Sequence, residues 1–248
     1  ALLRIGTLIV IDGEDVEETN RNRYVGVLHD DPIPGTPKVE VARRLVAGIS
    51  PETTVVAVKT TVVSSEAFDA LEAASYIFGC IDNDAVRVIL TEFAAAFGVP
   101  YIDAATEIVP DADRLRYGGR VAVAWDGNGC LSCLGELDHD DVRKHLASES
   151  GKLDEEAIYG AARTALGGSG PSVGSINGVV ASLAVVEFML AVTGIRPANR
   201  LLRYRADIGT ITRSSDAPLA GCYYCAALRG RGAAAPVVRS VRDGFRLS

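Results

Sequence analysis

Short apolar runs and segments of helical periodicity alternate along the first half of the chain. Residues 5–12, Ile-Gly-Thr-Leu-Ile-Val-Ile-Asp, predict a strand buried on both faces and ending in an acid. A polar loop follows to Gly35. Residues 37–47 predict a helix with Pro37 in its first turn and Val39, Ala42, Leu45 and Val46 on one face. Residues 54–58 predict a second strand, and residues 65–74 a short helix capped by a serine. Residues 77–81 predict a third strand, followed by Asp82. A helix is expected over 85–97, stopped by Gly98, and then a fourth strand over 100–103. Strand and helix in this order predict an α/β fold with a doubly wound, Rossmann-like, mainly parallel sheet. Ligands of such sheets bind beyond the carboxyl ends of the strands, where Asp12 and Asp82 fall.

The pattern changes in the second half. Residues 120–125 predict a strand, and 137–146 and 154–165 predict helices. A small-residue loop occupies 167–172. Residues 176–192 are apolar almost all round, which predicts a buried helix. Residues 201–205 and 209–213 predict an antiparallel pair that extends the sheet, and the segment after Cys225 is expected to be loosely ordered.

Composition narrows the function classes. Hydrophobic residues make up 48% and charged residues 23%, as in an ordinary globular protein, and the formal net charge is −7. That balance argues against a nucleic-acid partner and a polybasic membrane surface. No apolar run is read as long enough to span a bilayer, so no membrane partner is expected.

Four of the five cysteines form two Cys-x-x-Cys pairs, Cys130/Cys133 and Cys222/Cys225. Together they offer four thiolates for a closed tetrahedral zinc site joining two distant parts of the chain. Two unrelated pairs, as disulfides or idle thiols, is the alternative. The fifth, Cys80, lies in an apolar run and reads as a packed small residue. An odd cysteine beside zinc-type pairs points to a reducing, cytoplasmic setting. His29, His139 and His145 form no ligand pattern, and Ser172 and Ser175 have no hydrolase-like partners.

An ordered set of motifs carries a resemblance. It runs through Ile11-Asp12-Gly-Glu14-Asp-Val16, Asn20-Arg-Asn22-Arg23 and Gly35-Thr-Pro-Lys38-Val-Glu-Val-Ala42. It continues with Cys80-Ile-Asp82-Asn83, Arg87, the two cysteine pairs, the helix containing Asn177 and Glu187, and Thr193-Gly194. This set resembles the ThiF/MoeB/HesA superfamily of ubiquitin-activating-enzyme-like adenylyltransferases. The resemblance implies a single adenylation domain over 1–248, with a nucleotide-binding half over 1–125 and a partner-binding and zinc half over 126–248. It implies ATP, Mg2+ and Zn2+ as cofactors, a homodimer, and a small ubiquitin-like or sulfur-carrier protein as partner. Its chemistry joins the partner's carboxyl end to the α-phosphate of ATP and expels pyrophosphate.

By that resemblance Asp12 anchors the ribose, with Glu14 as a second acid where the family has Asp. Asn20, Arg23 and Lys38 meet the phosphates, the two cations balancing charge in the transition state. Asp82 ligates magnesium, beside Asn83. Each residue also has a structural reading: Asp12 as a turn cap, Lys38 as a solvated helix residue, Arg23 paired with Asp30 or Asp31, and Asp82-Asn83 as a helix cap. Arg87 reads equally as a structural partner of that loop.

The family's Gly-x-Gly-x-x-Gly turn precedes the position where this sequence begins, so the nucleotide-binding half is expected to lack its first strand and glycine-rich loop. Gly230-Arg-Gly232-Ala-Ala-Ala235 matches the loose pattern but follows no strand. Residues 161–175 contain no cysteine for acyl transfer, so the chemistry is expected to stop at the acyl adenylate. A non-catalytic scaffold, adenylation of a peptide or a tRNA base, and a nicotinamide dehydrogenase are the competing readings.

Overall fold

The computed structural model describes residues 3–111, 114–125, 127, 129–138, 142, 173–215 and 217–241. Most of the two predicted helices over 137–146 and 154–165, the loop over 167–172, Ser172, His139 and His145 lie outside the described residues. The chain forms two compact units, Ala1–Ser75 with Pro236–Ser248, and Tyr76–Ala235.

In the first unit, β1 (Thr7–Ile11) pairs in parallel with β2 (Thr54–Val58), Thr7 opposite Thr54. The crossover contains α1 (Lys38–Ile49), which packs on both strands. Pro37 is its N-cap, because a proline has no N–H to contribute to the ladder. Val39, Val41 and Val46 are buried. Val41 was absent from the predicted apolar face and replaces Ala42, which is half-buried. β1 is half-buried over most of its length rather than covered on both faces, β2 being its one strand neighbour among the described residues. α2 (Ser65–Glu72) starts where Ser64 Oγ accepts the Ala67 N–H at 3.1 Å.

The second unit is a five-stranded mixed sheet in the order β3-β4-β5-β6-β7. β3 (Ile77–Gly79) and β4 (Tyr101–Asp111) are parallel, joined by α3 (Asp84–Phe97). α3 is buried along nearly its whole length and ends at Gly98, which takes the left-handed φ of 69°. β4 and β5 (Arg114–Ala124) form a long antiparallel hairpin, Tyr101 opposite Ala124 and Asp111 opposite Arg114. Both strands run well beyond the expected 100–103 and 120–125. β6 (Leu201–Arg205) and β7 (Thr210–Arg213) complete the sheet as the expected antiparallel pair.

The core of this unit lies between the sheet and α4 (Gly174–Val192). Ile102, Val121, Val123 and Leu202 from the strands meet Val180 and Ala184 from the helix. A Cβ on Gly119 would stand 2.8 Å from Val180 Cγ2, so glycine permits the close approach of α4 to β5. Two expectations are corrected here. α4 is not buried all round: Ile176, Val180, Ala184 and Glu187 form a narrow buried stripe, and Val185, Val186, Met189 and Val192 are exposed. By length and composition alone it is also long and apolar enough to cross a bilayer, because Glu187 is the single charge in its 19 residues. Length and composition cannot tell a spanning helix from a core helix, and this one packs on β4 and β5.

Residues 226–241 are ordered, contrary to the expectation for the segment after Cys225, whose last residues lie outside the described ones. A π-helical turn (Tyr223–Leu228) packs on α3, Leu228 is buried, and the Gly230 N–H donates to the Ala95 carbonyl at 3.0 Å.

Candidate functional site

Asp12 directly follows β1, and its Oδ1 accepts the Glu14 N–H at 2.9 Å. The turn this makes leaves the Glu14 carboxylate paired with Lys38 Nζ at the start of α1, while the Lys38 N–H donates to the Glu14 carbonyl at 3.1 Å. Lys38 is thus an anchored cation rather than a freely solvated helix residue. Asp15 pairs with Lys59 at 2.7 Å. Asn20 is buried in a 3-10 turn (Glu18–Asn20), and its Oδ1 accepts the Glu17 N–H at 2.9 Å. Arg23 Nη1 donates to the Thr19 carbonyl. The expected alternative partner Asp31 is held instead by Arg44, at 2.7 and 2.6 Å, which draws its carboxyl down to about 2.

Tyr24 belongs to this cluster and was not anticipated. Its hydroxyl donates to the Lys38 carbonyl at 3.1 Å. Burial, with the nearby Asp12 charge adding to it, pushes this phenol up to about 12. A tyrosine directly after the Asn-x-x-Arg cluster carries no pattern that separates it from an ordinary core residue.

In the second unit, the turn between β3 and α3 holds Cys80, Ile81, Asp82 and Asn83. Asn83 is the α3 N-cap, its Oδ1 accepting the Ala85 and Val86 N–H groups at 2.8 and 3.2 Å. The capping reading therefore holds for Asn83. Asp82 is exposed. Cys80 is exposed too, which corrects the expectation of a packed residue: β3 ends at Gly79, one residue before it.

The four paired cysteines converge. Cys130 and Cys222 Sγ are 3.7 Å apart, Cys133 and Cys225 3.6 Å, and Cys130 and Cys133 3.8 Å. A disulfide needs about 2.05 Å, so these separations exclude bonded pairs. Four sulfurs at about 2.3 Å from one tetrahedral ion stand about 3.8 Å apart, which is the spacing found. The donor set fits zinc. Burial pushes the Cys225 thiol up to about 12, whereas at Cys133 hydrogen bonds from Cys130, Cys222 and Leu219 outweigh burial and draw it down to about 7.

The ThiF family's sequence profile matches residues 1–220. The chain belongs to the ThiF family. Among curated ThiF relatives, the SAMP-activating enzyme E1 of Haloferax volcanii is 30% identical over 119 residues, 45% of this chain and 43% of that protein. The adenylyltransferase and sulfurtransferase UBA4 of Saccharomyces cerevisiae is 31% identical over 100 residues, 40% of this chain and 22% of that protein. The matched stretch thus spans less than half the length of these relatives. Among solved structures, E. coli MccB with MccA-N7isoASN superposes with a TM-score of 0.66 at 19% identity, covering 89% of this chain and 60% of that one. That likeness establishes the ThiF-type, Rossmann-like fold.

One group of ThiF-chain residues was not recognised as a unit in the sequence. Asp103, wholly buried, accepts from Arg120 at 2.5 Å and from the Tyr101 hydroxyl at 2.9 Å. Arg120 continues to Glu136 at 2.9 Å, and Glu136 to Arg203. The residues are scattered over three strands and the segment after Cys133, so no local spacing connects them.

Proposed function

We propose that the chain is the adenylation module of an ATP-dependent adenylyltransferase, which activates the carboxyl end of a small ubiquitin-like or sulfur-carrier protein and releases pyrophosphate. The observation that carries this reading is the ThiF match over residues 1–220, which spans Asp12, Glu14, Asn20, Arg23, Lys38, Asp82 and Asn83. The names of the relatives agree with it: one activates SAMP, the other is an adenylyltransferase and sulfurtransferase.

In this reading Asp12 accepts the ribose hydroxyls at the carboxyl end of β1. Lys38, held ready by Glu14, exchanges that carboxylate for phosphate oxygens, and Arg23 adds a second cation. Both stabilise the charge that builds as the carboxylate oxygen bonds to the α-phosphorus and the bond to the pyrophosphate oxygen breaks. Asp82, whose exposed carboxylate is a hard oxygen donor, would hold Mg2+. Mg2+ supplies neutralisation of phosphate charge. Zinc held by Cys130, Cys133, Cys222 and Cys225 would be structural, since all four positions are taken by protein. The reaction ends at the acyl adenylate. Free thiols at all five cysteines suit a reducing, cytoplasmic setting.

ATP–pyrophosphate exchange by the full-length protein with a panel of carrier proteins tests this. Exchange stimulated by a carrier supports it; silence with every carrier sinks it. A second reading, adenylation of a peptide, draws on the likeness to MccB bound to MccA. Exchange stimulated by short peptides and not by carriers would favour it. A non-catalytic scaffold would show no heat of ATP binding with Mg2+ present.

A further inference from the structure

The buried charges around Asp103 take no part in the reaction just described, yet they end at the turn that carries Asp82. Arg87 lies on the first turn of α3 and is 8% exposed. Its Nε faces Asp103 Oδ1 at 3.3 Å. Its Nη2 donates to the Ile81 carbonyl and its Nη1 to the Asp84 carboxylate. Those two partners flank Asp82 and Asn83, so one guanidinium grips the turn at both ends. Asn83 is fixed separately as the helix cap. The other Asp84 oxygen accepts the Asp138 N–H at 2.7 Å, which ties the turn to the segment after Cys133.

The guanidinium is itself fixed from behind. Asp103 sits between Arg87 and Arg120, with the Tyr101 hydroxyl on its Oδ1. Arg120 also donates to the Glu136 carbonyl at 3.3 Å and pairs with its carboxylate. A buried charge is tolerated where opposite charge lies beside it: Arg87 Nε meets Asp103 as an ion pair without a hydrogen bond, while Nη1 and Nη2 make the hydrogen bonds to the turn. The rigid fork of arginine meets three partners at once, which a lysine ammonium on a flexible stem cannot reproduce.

We propose that Arg87 is a positioning residue for the Asp82 carboxylate, with the Asp103–Arg120–Glu136 chain fixing the guanidinium that holds the turn. This rests on the adenylation reading above. A carboxylate that holds magnesium against a reacting phosphate must be placed to a fraction of an ångström, and groups behind metal ligands set that placement.

The test compares full-length wild type with Arg87→Lys, and with Asp103→Asn, which keeps shape and hydrogen-bond acceptance. Two readouts are taken: amide hydrogen exchange along the chain, and the magnesium dependence of ATP–pyrophosphate exchange. In Arg87→Lys the amides of residues 81–84 are expected to exchange about tenfold faster or more, with other segments unchanged. The magnesium concentration for half-maximal rate rises about tenfold or more. The rate at saturating magnesium falls by on the order of 10²-fold. Should Arg87→Lys fail to fold, Asp103→Asn is held to the same expectations. Unchanged magnesium dependence and rate in a folded variant overturns the proposal. So does faster hydrogen exchange spread evenly along the chain, the mark of a merely structural role. A wild-type protein without exchange activity with any carrier or peptide sinks the adenylation reading instead, and the hydrogen exchange of residues 81–84 then decides whether Arg87 holds the turn.

Discussion

Lys38 shows how a residue's surroundings convert an ambiguous sequence signal into a specific expectation. A lysine early in an amphipathic helix is ordinarily solvated, but here its main chain and ammonium are both tied to Glu14, two residues after Asp12. Lys38→Met is expected to lower ATP–pyrophosphate exchange by on the order of 10²- to 10³-fold, the cost of removing one donor to a charged transition state. Its melting temperature is expected to stay within a few degrees, because a pair with an exposed partner contributes about 1 kcal/mol or less. A large drop in stability would make Lys38 a structural residue instead. The thiols argue in the other direction. With sulfurs at tetrahedral spacing, Cys130→Ser or chelation of bound zinc is expected to lower the melting temperature first and activity as a consequence. Equal melting with and without chelator, or zinc content far from one per chain by elemental analysis, would refute the structural metal.

At the scale of elements, the legible parts were those whose pattern is complete within one segment. α3 has an Asn cap, an apolar run and a glycine stop, and each was readable. β2 and the β6–β7 hairpin are short apolar or alternating runs between turn residues. The outer halves of β4 and β5 were not readable. Residues 105–110, Ala-Thr-Glu-Ile-Val-Pro, and 114–119, Arg-Leu-Arg-Tyr-Gly-Gly, contain charges, a proline and two glycines. They are strands because each completes the other's ladder over eleven paired positions, a condition no single segment contains.

α4 carries its own acid-sensitive element. Burial favours a neutral Glu187, but hydrogen bonds from Arg196 at 2.7 and 2.8 Å and from Asn199 outweigh it and hold the carboxyl below its ordinary value. The unfolded chain lacks these bonds, so Glu187 contributes stability above its ordinary value of 4.5 and loses it as pH falls through the lower, folded value. Melting of Glu187→Gln at neutral pH is expected to be lower than wild type, and the gap is expected to narrow on acidification below pH 4.5. A gap that stays constant with pH would show that the charge is not what matters.

For the whole molecule, the partly exposed apolar side chains of α4 set the question of assembly. Val185, Val186, Met189 and Val192 are exposed on a helix with one charge, an apolar surface of the kind that usually meets a partner. The homodimer implied by the family resemblance is expected to use it. Val186→Asp is therefore expected to halve the mass seen by light scattering, leaving Ile176, Val180 and Ala184 packed and the fold intact. An unchanged dimer would place the interface elsewhere, and a monomeric wild type would remove it.

By itself the sequence determined the local elements, the candidate donors at strand ends, the cysteine pairs and the family they resemble. These depend on periods of two and about 3.6 residues and on spacings within a turn, which short-range sterics and hydrogen bonding enforce. Tertiary structure decided the rest. It brought together thiols 92 positions apart, gathered Arg87, Tyr101 and Arg120 around the buried Asp103 carboxylate, and left Val185, Val186, Met189 and Val192 of an apolar helix partly exposed. Burial and charge pairing are properties of neighbours in space, and only the closing of long loops by a shared core makes those neighbours.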